Sequence, residues 1–401
     1  MQSKMELLAP AGNLEKLKIA LEYGADAVYI GGEAFGLRAK AGNFSFDDMR
    51  DGVSFAHNLG KKVYLTMNIF PHNKDISEIY KYIEEIKDIG FDAIIAADPG
   101  VISILRQSLP NMKIHISTQA NNTNYMSARF WHDNGVERIV LARELSINEI
   151  AELRENTPES LELEMFVHGA MCISYSGRCL LSNYMTNRDS NKGECAQPCR
   201  WKYYLVEEQR PNEYIPIEQN DRGTFIYNSK DLCLIQHLGE IKKAGVTSLK
   251  IEGRMKSVYY IATVIKAYRE VLDNGFDEMY LDEIAKSSHR HYTKGFFTGN
   301  PDGAEVNVET STYVREYDFV GIVRNYDKAT GIAEVEQRNR LFIGDEVEIL
   351  QPNVLGFNIA TIDNMKDDKM QDIEVAPHPK MTLYIKLPYE VKINSILRKK
   401  L

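Results

Sequence analysis

The chain has 401 residues, of which 44% are hydrophobic and 26% charged, with a formal net charge of −9. That length can bury a large core and divides naturally into one big domain and a smaller one. The acid excess weighs against a general nucleic-acid binder but not against a local basic groove, and the lack of a membrane-length apolar run predicts a cytoplasmic protein.

The first 275 residues alternate short apolar runs with amphipathic helices. Strands are predicted at Glu6–Ala9, Ala27–Ile30, Val63–Thr66, Ala93–Ala96, Lys113–Ser117, Arg138–Leu141, Glu162–Val167 and Ser248–Ile251. Their continuous hydrophobicity is that of strands covered on both faces. Between them, Asn13–Tyr23 carries Leu14, Leu17, Ala20 and Leu21 on one helical face, and Asp75–Lys87 carries Ile76, Ile79, Tyr80, Ile83 and Ile86. Eight such units favour an α/β fold, a (β/α)8 TIM-like barrel, with an open doubly wound sheet as the alternative.

Polar residues stand where these strands should end: Asn68, Asp98, Gln119, Arg143, His168, Glu252 and Arg254. In a barrel they face one mouth, where catalytic groups gather. Gly12, Gly31 and Gly32 read instead as turn formers. The seventh unit is interrupted. About 60 residues separate its strand from the next predicted helix, Asp231–Lys243, with Asn228 or Ser229 as N-cap. This insertion, at about 169–225, should lie over the mouth.

Residues 276–314 read as a linker in which Ser287–Pro301 mixes turn formers with aromatics. Residues 315–401 read as a small all-β barrel, with strands at Phe319–Arg324, Ile332–Gln337, Glu346–Leu350, Ile373–Val375 and Leu383–Leu387.

Four of the five cysteines lie in the insertion as C-x6-C-x15-C-x3-C: Cys172, Cys179, Cys195 and Cys199. In a reducing compartment such a cluster points to metal or redox chemistry. Four thiolates serve either a tetrahedral zinc or an iron–sulfur cubane. The first pair is wider than structural zinc sites prefer, and irregular spacing suits a cluster reached from separate corners. Cys233 stands apart on the predicted helix and reads as a core thiol. No HExxH, GxSxG or phosphate-binding GxxxxGK[ST] motif occurs. His168 reads as a base, a ligand or a hydrogen-bonded structural histidine.

The segments LLAPAGN (7–13), GADAVYIGG (24–32), EMFVHGAMCISYSGRCLLS (164–182), GECAQPCRWKY (193–203), SKDLC (229–233) and SLKIEGRMKS (248–257) resemble the collagenase-like peptidase U32 family, above all its tRNA-hydroxylating branch. The resemblance extends through HRHYTKGFFTGN and the β domain. It implies a 4Fe-4S cluster on Cys172, Cys179, Cys195 and Cys199. It implies prephenate-dependent 5-hydroxylation of the wobble uridine of tRNA, with a paralogous partner subunit in some members. Related branches imply alternatives, a ribosomal RNA cytidine or a quinone precursor, whereas nothing in the residues supports a peptidase.

A role scheme follows from that resemblance. Arg143, Glu252, Arg254 and His168 are the catalytic candidates. Prephenate has two carboxylates, which forked guanidiniums bind well, so Arg38, Arg143, Arg178 and Arg254 are candidates for holding it. Asn68, Gln119, Tyr175 and Tyr184 are candidates for holding an unstacked base of the anticodon loop. Arg338, Arg340 and Arg398-Lys399-Lys400 are candidates for gripping the RNA backbone.

Overall fold

The computed structural model describes residues 5–36, 43–172, 175, 179–186, 188–190, 193–201, 205–207, 210–215, 230–299 and 314–401. Its contacts divide the chain into two units. Met1–Leu21, Ala25–Met255 and Arg290–Tyr313 form the first, and Glu22–Gly24, Lys256–His289 and Val314–Leu401 the second. Among the described residues no helix is long and apolar enough to cross a membrane.

The first unit is a closed barrel of eight parallel strands: Glu6–Pro10, Ala27–Gly31, Lys62–Met67, Ala93–Ala96, Ile114–Ile116, Arg138–Val140, Glu162–Ala170 and Ser248–Ile251. Each pairs with the next. The eighth pairs with both the first and the seventh, Leu249 lying opposite Leu7 on one side and Met165 on the other. Ring closure leaves these strands no free edge. Every predicted barrel strand is present, and helices fill the intervals. Local chemistry sets their starts: Ser45 with Asp48, and Ser146 with Glu149, form capping boxes. Asp98 accepts the Val101 N–H at 3.1 Å ahead of Pro99, so it is a helix cap and not a mouth residue.

A buried ionic network crosses the N-terminal half of the barrel. The Arg138 guanidinium bonds Glu6, Glu162 and Glu164 at 2.5, 2.6 and 3.0 Å, and Lys250 bonds Glu164 at 2.7 Å. Tyr64 and Ser248 hydroxyls donate to Glu6 at 2.7 and 2.9 Å. Burial pushes the Glu164 carboxyl up, but Lys250 and Arg138 outweigh it and hold the group below the usual carboxylate range. The same contest at Glu6 goes to Arg138. His115, desolvated and beside Arg138, is pushed well below the ordinary histidine value and is neutral.

The segment Asp231–Lys243 is not one helix. The seventh strand continues past Val167 to Ala170, and Asp231–Cys233 pairs antiparallel with that extension, Cys233 opposite His168. Only Leu238–Lys243 is α-helical, after a 3-10 turn at Ile235–His237. The backbone edge offered by the longer strand overrides the helical periodicity. Asp231 is fixed there by buried Arg290, whose guanidinium donates to it at 2.5 and 3.1 Å. Tyr292–Thr293 adds a parallel strand to the same edge. Asn228 and Ser229 lie outside the described residues.

The second unit contains helices Val258–Asn274 and Met279–Ala285, the latter within the stretch read as linker. Its sheet is antiparallel in the order Asn358–Thr361, Glu346–Leu350, Ile396–Lys400, Tyr317–Asp327, Ile332–Gln337, Thr382–Lys386, a half-barrel over Val320, Val335, Ile349, Leu383 and Leu397. The strand expected at Ile373–Val375 is Val375–Ala376, paired with Leu341–Phe342. Arg398 corrects another expectation. It is fully buried, forked onto Glu283 at 2.6 and 2.7 Å and bonded to Glu348 at 2.7 Å, so it cannot reach a phosphate. Lys399 is held by Asp345 at 2.7 Å. Arg338 pairs with Glu336 at 2.8 Å, and Arg340 is exposed.

Candidate active site

A cavity of about 320 Å³ opens at the C-terminal ends of the barrel strands. Barrel strands and the loops that follow them supply its walls: Tyr29, Asn68, Ser117, Gln119, Arg143, Phe166, Lys250, Glu252 and Arg254. The cysteine-bearing insertion supplies much of the remainder, including all of Cys172, Cys179, Cys195 and Cys199. This is the catalytic end of a (β/α)8 barrel.

Among the described residues, none of these cysteines is in a disulfide. Cys172 follows the seventh strand, Cys179 precedes the short helix Leu181–Thr186, and Cys199 sits in the 3-10 turn Pro198–Arg200. Buried Ser182 ties these pieces together. Its hydroxyl donates to the Arg188 carbonyl at 2.8 Å and accepts the Ala196 N–H at 2.9 Å. The Gln197 N–H donates to Cys195 Sγ at 3.3 Å, Gln197 itself being in the left-handed region at φ 59°. Among the described residues no three His, Cys, Asp or Glu side chains converge on one point as a single metal ion requires.

Among the described residues, the charged groups lining the cavity are Arg143, Arg188, Lys250, Arg254 and the carboxylate of Glu252. Arg143 donates to the Ala170 carbonyl at 2.8 Å and lies 4.0 Å above the Phe166 ring. Buried Arg254 donates to Asn43 Oδ1 at 2.8 Å. Its position explains two glycines otherwise attributed to turn geometry. A Cβ at Gly31 would overlap the Arg254 guanidinium, and one at Gly12 would overlap its carbonyl oxygen. Neither glycine needs a left-handed backbone, so both are small because Arg254 is close. Lys250 reaches the cavity between the Tyr29 and Phe166 rings, 4.5 and 5.5 Å away, while its ammonium bonds Glu164. The Tyr29 hydroxyl donates to the Ile251 carbonyl at 3.0 Å.

The structure thus brings together Asn68, Gln119, Arg143, Glu252, Arg254 and the four cysteines. It keeps His168 apart. That side chain is buried, is absent from the cavity wall, and has its ring 5.5 Å from Tyr292. Tyr175 and Tyr184 are exposed and also absent from the wall, Tyr184 at 92% of its free area. Arg38 and Arg178 lie outside the described residues. Lys250 and Arg188 escaped the sequence reading. The signal for Lys250 was a lysine inside a strand buried on both faces, which needs a buried partner. Arg188 gave no signal beyond its place in the insertion.

Known proteins match most of the chain. Residues 12–307 match the family described as Peptidase family U32, and residues 315–398 match the Peptidase family U32 C-terminal domain. A relative from Bacillus subtilis, named tRNA hydroxylation protein P1, is 43% identical, covering 99% of this chain and 95% of its own. Escherichia coli tRNA hydroxylation protein P is 36% identical over 98% of this chain and 96% of its own. A 23S rRNA 5-hydroxycytidine synthase from Escherichia coli is 35% identical over 73% of this chain and 43% of its own. A solved U32 peptidase structure aligns with 63% of this chain and 95% of its own, at 15% identity and a TM-score of 0.42.

Proposed function

The chain belongs to peptidase family U32, and from that premise we propose that it is an iron–sulfur RNA-modifying enzyme, a prephenate-dependent 5-hydroxylase of the tRNA wobble uridine. The observation that carries the reading is one cavity lined by four cysteines outside any disulfide and, among the described residues, by more cations than carboxylates. Two relatives matching nearly the full chain carry tRNA hydroxylation in their names.

The residues fit a 4Fe-4S cluster. Four thiols line one cavity, the number of ligands that a 4Fe-4S cluster takes. The N–H donated to Cys195 Sγ is the kind of contact that tunes a cluster-bound thiolate. When bound, the cluster would supply electron transfer and Lewis acidity at the cavity wall.

The protein's own residues then have distinct tasks. Arg143 donates to the Ala170 carbonyl and Arg254 to Asn43 Oδ1, and both line the cavity. Lys250 is matched by Glu164, and among the described lining residues the other cations, Arg143, Arg188 and Arg254, outnumber the carboxylate of Glu252, which suits a dicarboxylate such as prephenate. Phe166 sets an aromatic ring beside the Arg143 guanidinium on the cavity wall. A protease would need an activated nucleophile or a metal-bound water. His168 is turned away, and the cysteines are assigned to iron.

Mass spectrometry of tRNA nucleosides from a deletion strain tests the substrate. Loss of wobble hydroxyuridine is expected, and an unchanged nucleoside profile would defeat the proposal. With purified protein, Arg254→Ala should bind tRNA like the parent and hydroxylate at least about 100-fold more slowly, because it removes an interaction with the donor rather than with RNA. Gly31→Ala should reproduce that loss by displacing the same guanidinium. If Arg254→Ala turns over at the parental rate, the donor is not held there.

A further inference from the structure

Gln119 is the least satisfied polar side chain of the cavity. It follows the fifth strand in the 3-10 turn Thr118–Ala120. Its backbone is pinned: the Ser117 hydroxyl accepts the Gln119 N–H at 3.4 Å and receives an N–H from Asn68 at 3.2 Å. Next to it, the Thr118 hydroxyl donates to the Leu141 carbonyl at 3.1 Å. The Gln119 side chain is 1% exposed and lines the cavity, yet among the described residues neither its amide oxygen nor its amide nitrogen has a hydrogen-bond partner. A buried amide in that state is destabilising. An apolar side chain of the same volume would fill the wall without that cost, so the amide implies a ligand.

We infer that Gln119 reads the pairing edge of a single pyrimidine base placed in the cavity, and that it accepts uracil and cytosine alike. The inference rests on the RNA-hydroxylase reading and deepens it. A primary amide sets a donor beside an acceptor. Uracil offers an N3–H beside a carbonyl oxygen, which would donate to the Gln119 oxygen and accept from its nitrogen. Cytosine offers N3 as acceptor beside an amino donor, the reverse order. A half-turn of the terminal torsion exchanges oxygen and nitrogen with no change of shape. Because no described neighbour bonds either atom, nothing fixes the amide in one of these orientations. The wall therefore commits to a planar pairing edge without choosing between the two bases, and the choice of target falls to contacts outside the cavity.

The test uses the cluster-loaded protein with prephenate and stem–loop RNAs carrying uridine, cytidine or N3-methyluridine at the target. Uridine and cytidine should react within about tenfold of each other, while N3-methyluridine, which has lost the donor, should be at least about 100-fold slower. Gln119→Met should lose about 100-fold in kcat/KM on uridine and should no longer distinguish it from N3-methyluridine. A merely structural role would not produce that loss of discrimination. Iron content and RNA affinity should be unchanged, and the thermal midpoint equal or higher, since an unpartnered amide has been removed. Uridine turnover by Gln119→Met within about threefold of the parent would overturn the assignment and leave RNA hydroxylation standing. Cytidine left unmodified by an enzyme active on uridine would overturn the two-way reading. If the wild type modifies no RNA base, the underlying function falls and this inference falls with it.

Discussion

Alanine at Cys172, Cys179, Cys195 or Cys199 is expected to leave the protein, purified without oxygen, nearly free of iron and sulfide, against about four of each per parental chain. A cubane with one corner unligated is exposed to solvent and oxidant, and metal affinity couples to the folding of the segment that supplies the ligands. Here that segment is short and cross-tied. Ser182 joins the helix after Cys179 to Ala196, beside Cys195. The loss of one ligand is therefore felt by the other three. Cys233→Ala is the control, because that thiol is 4% exposed in a strand paired with His168, away from the cavity wall. The barrel strands do not depend on the insertion for their pairing, so all the variants should keep a parental far-ultraviolet circular dichroism spectrum. Stoichiometric zinc without sulfide in the parent, or full iron in any one of the four variants, would refute the cluster.

Glu164→Ala is expected to destabilise the protein by about 3–5 kcal/mol, because it leaves Arg138 and Lys250 buried with too little negative charge. Glu164 is wholly buried and Arg138 nearly so, which keeps solvent from screening the loss. Adding Lys250→Met should recover part of the deficit, as apolar replacement of a buried pair often does. The network also sets an acid limit. Glu164 and Glu6 are both held below their ordinary values in the folded state, so the unfolded chain binds more protons as pH falls. Their contribution is complete above the unfolded carboxylate value of about 4.3 and disappears as pH drops through the lower folded values. Urea midpoints of the parent should therefore fall steeply below about pH 4.5, and those of Glu164→Gln less steeply. Parallel curves for the two proteins would show that Glu164 is not the group responsible.

The barrel was legible because its strands are covered on both faces, and a short apolar run such as Ala93–Ala96 has few other places to go. The cysteine insertion was legible from the long interval that follows the seventh strand. Residues 231–243 misled for a reason periodicity cannot detect: whether Asp231–Cys233 becomes a strand depends on where the seventh strand stops. Arg398 misled because a basic C-terminal run looks solvated until Glu283 and Glu348, distant in sequence, are placed around it. At the site, the structure gathers Asn68, Gln119, Arg143, Glu252 and Arg254 around one cavity and leaves Asp98 and His168 off its wall. Exposure then removed Tyr184, and the bulge between Lys250 and Ile251 in the pairing with the seventh strand accompanies the turning of His168 toward Tyr292. No sequence pattern marks an amide as unpartnered, so the state of Gln119 became visible only with its neighbours in place.

Closure of the barrel through its eighth strand has a consequence for biosynthesis. Glu6 pairs with Ser248, and the seventh strand also waits for Leu249. On a ribosome the cysteine segment emerges well before the residues that complete the ring beneath it. Until then the first and seventh strands present unpaired backbone on two sides, a hazard for association with other nascent chains. Such long-range pairing is also slow to form. A chain released before residue 251 cannot close, so nonsense truncations in the preceding interval should yield aggregates rather than a smaller working enzyme. Delivery of iron and sulfide during synthesis would meet thiols whose cavity floor, Lys250 included, does not yet exist.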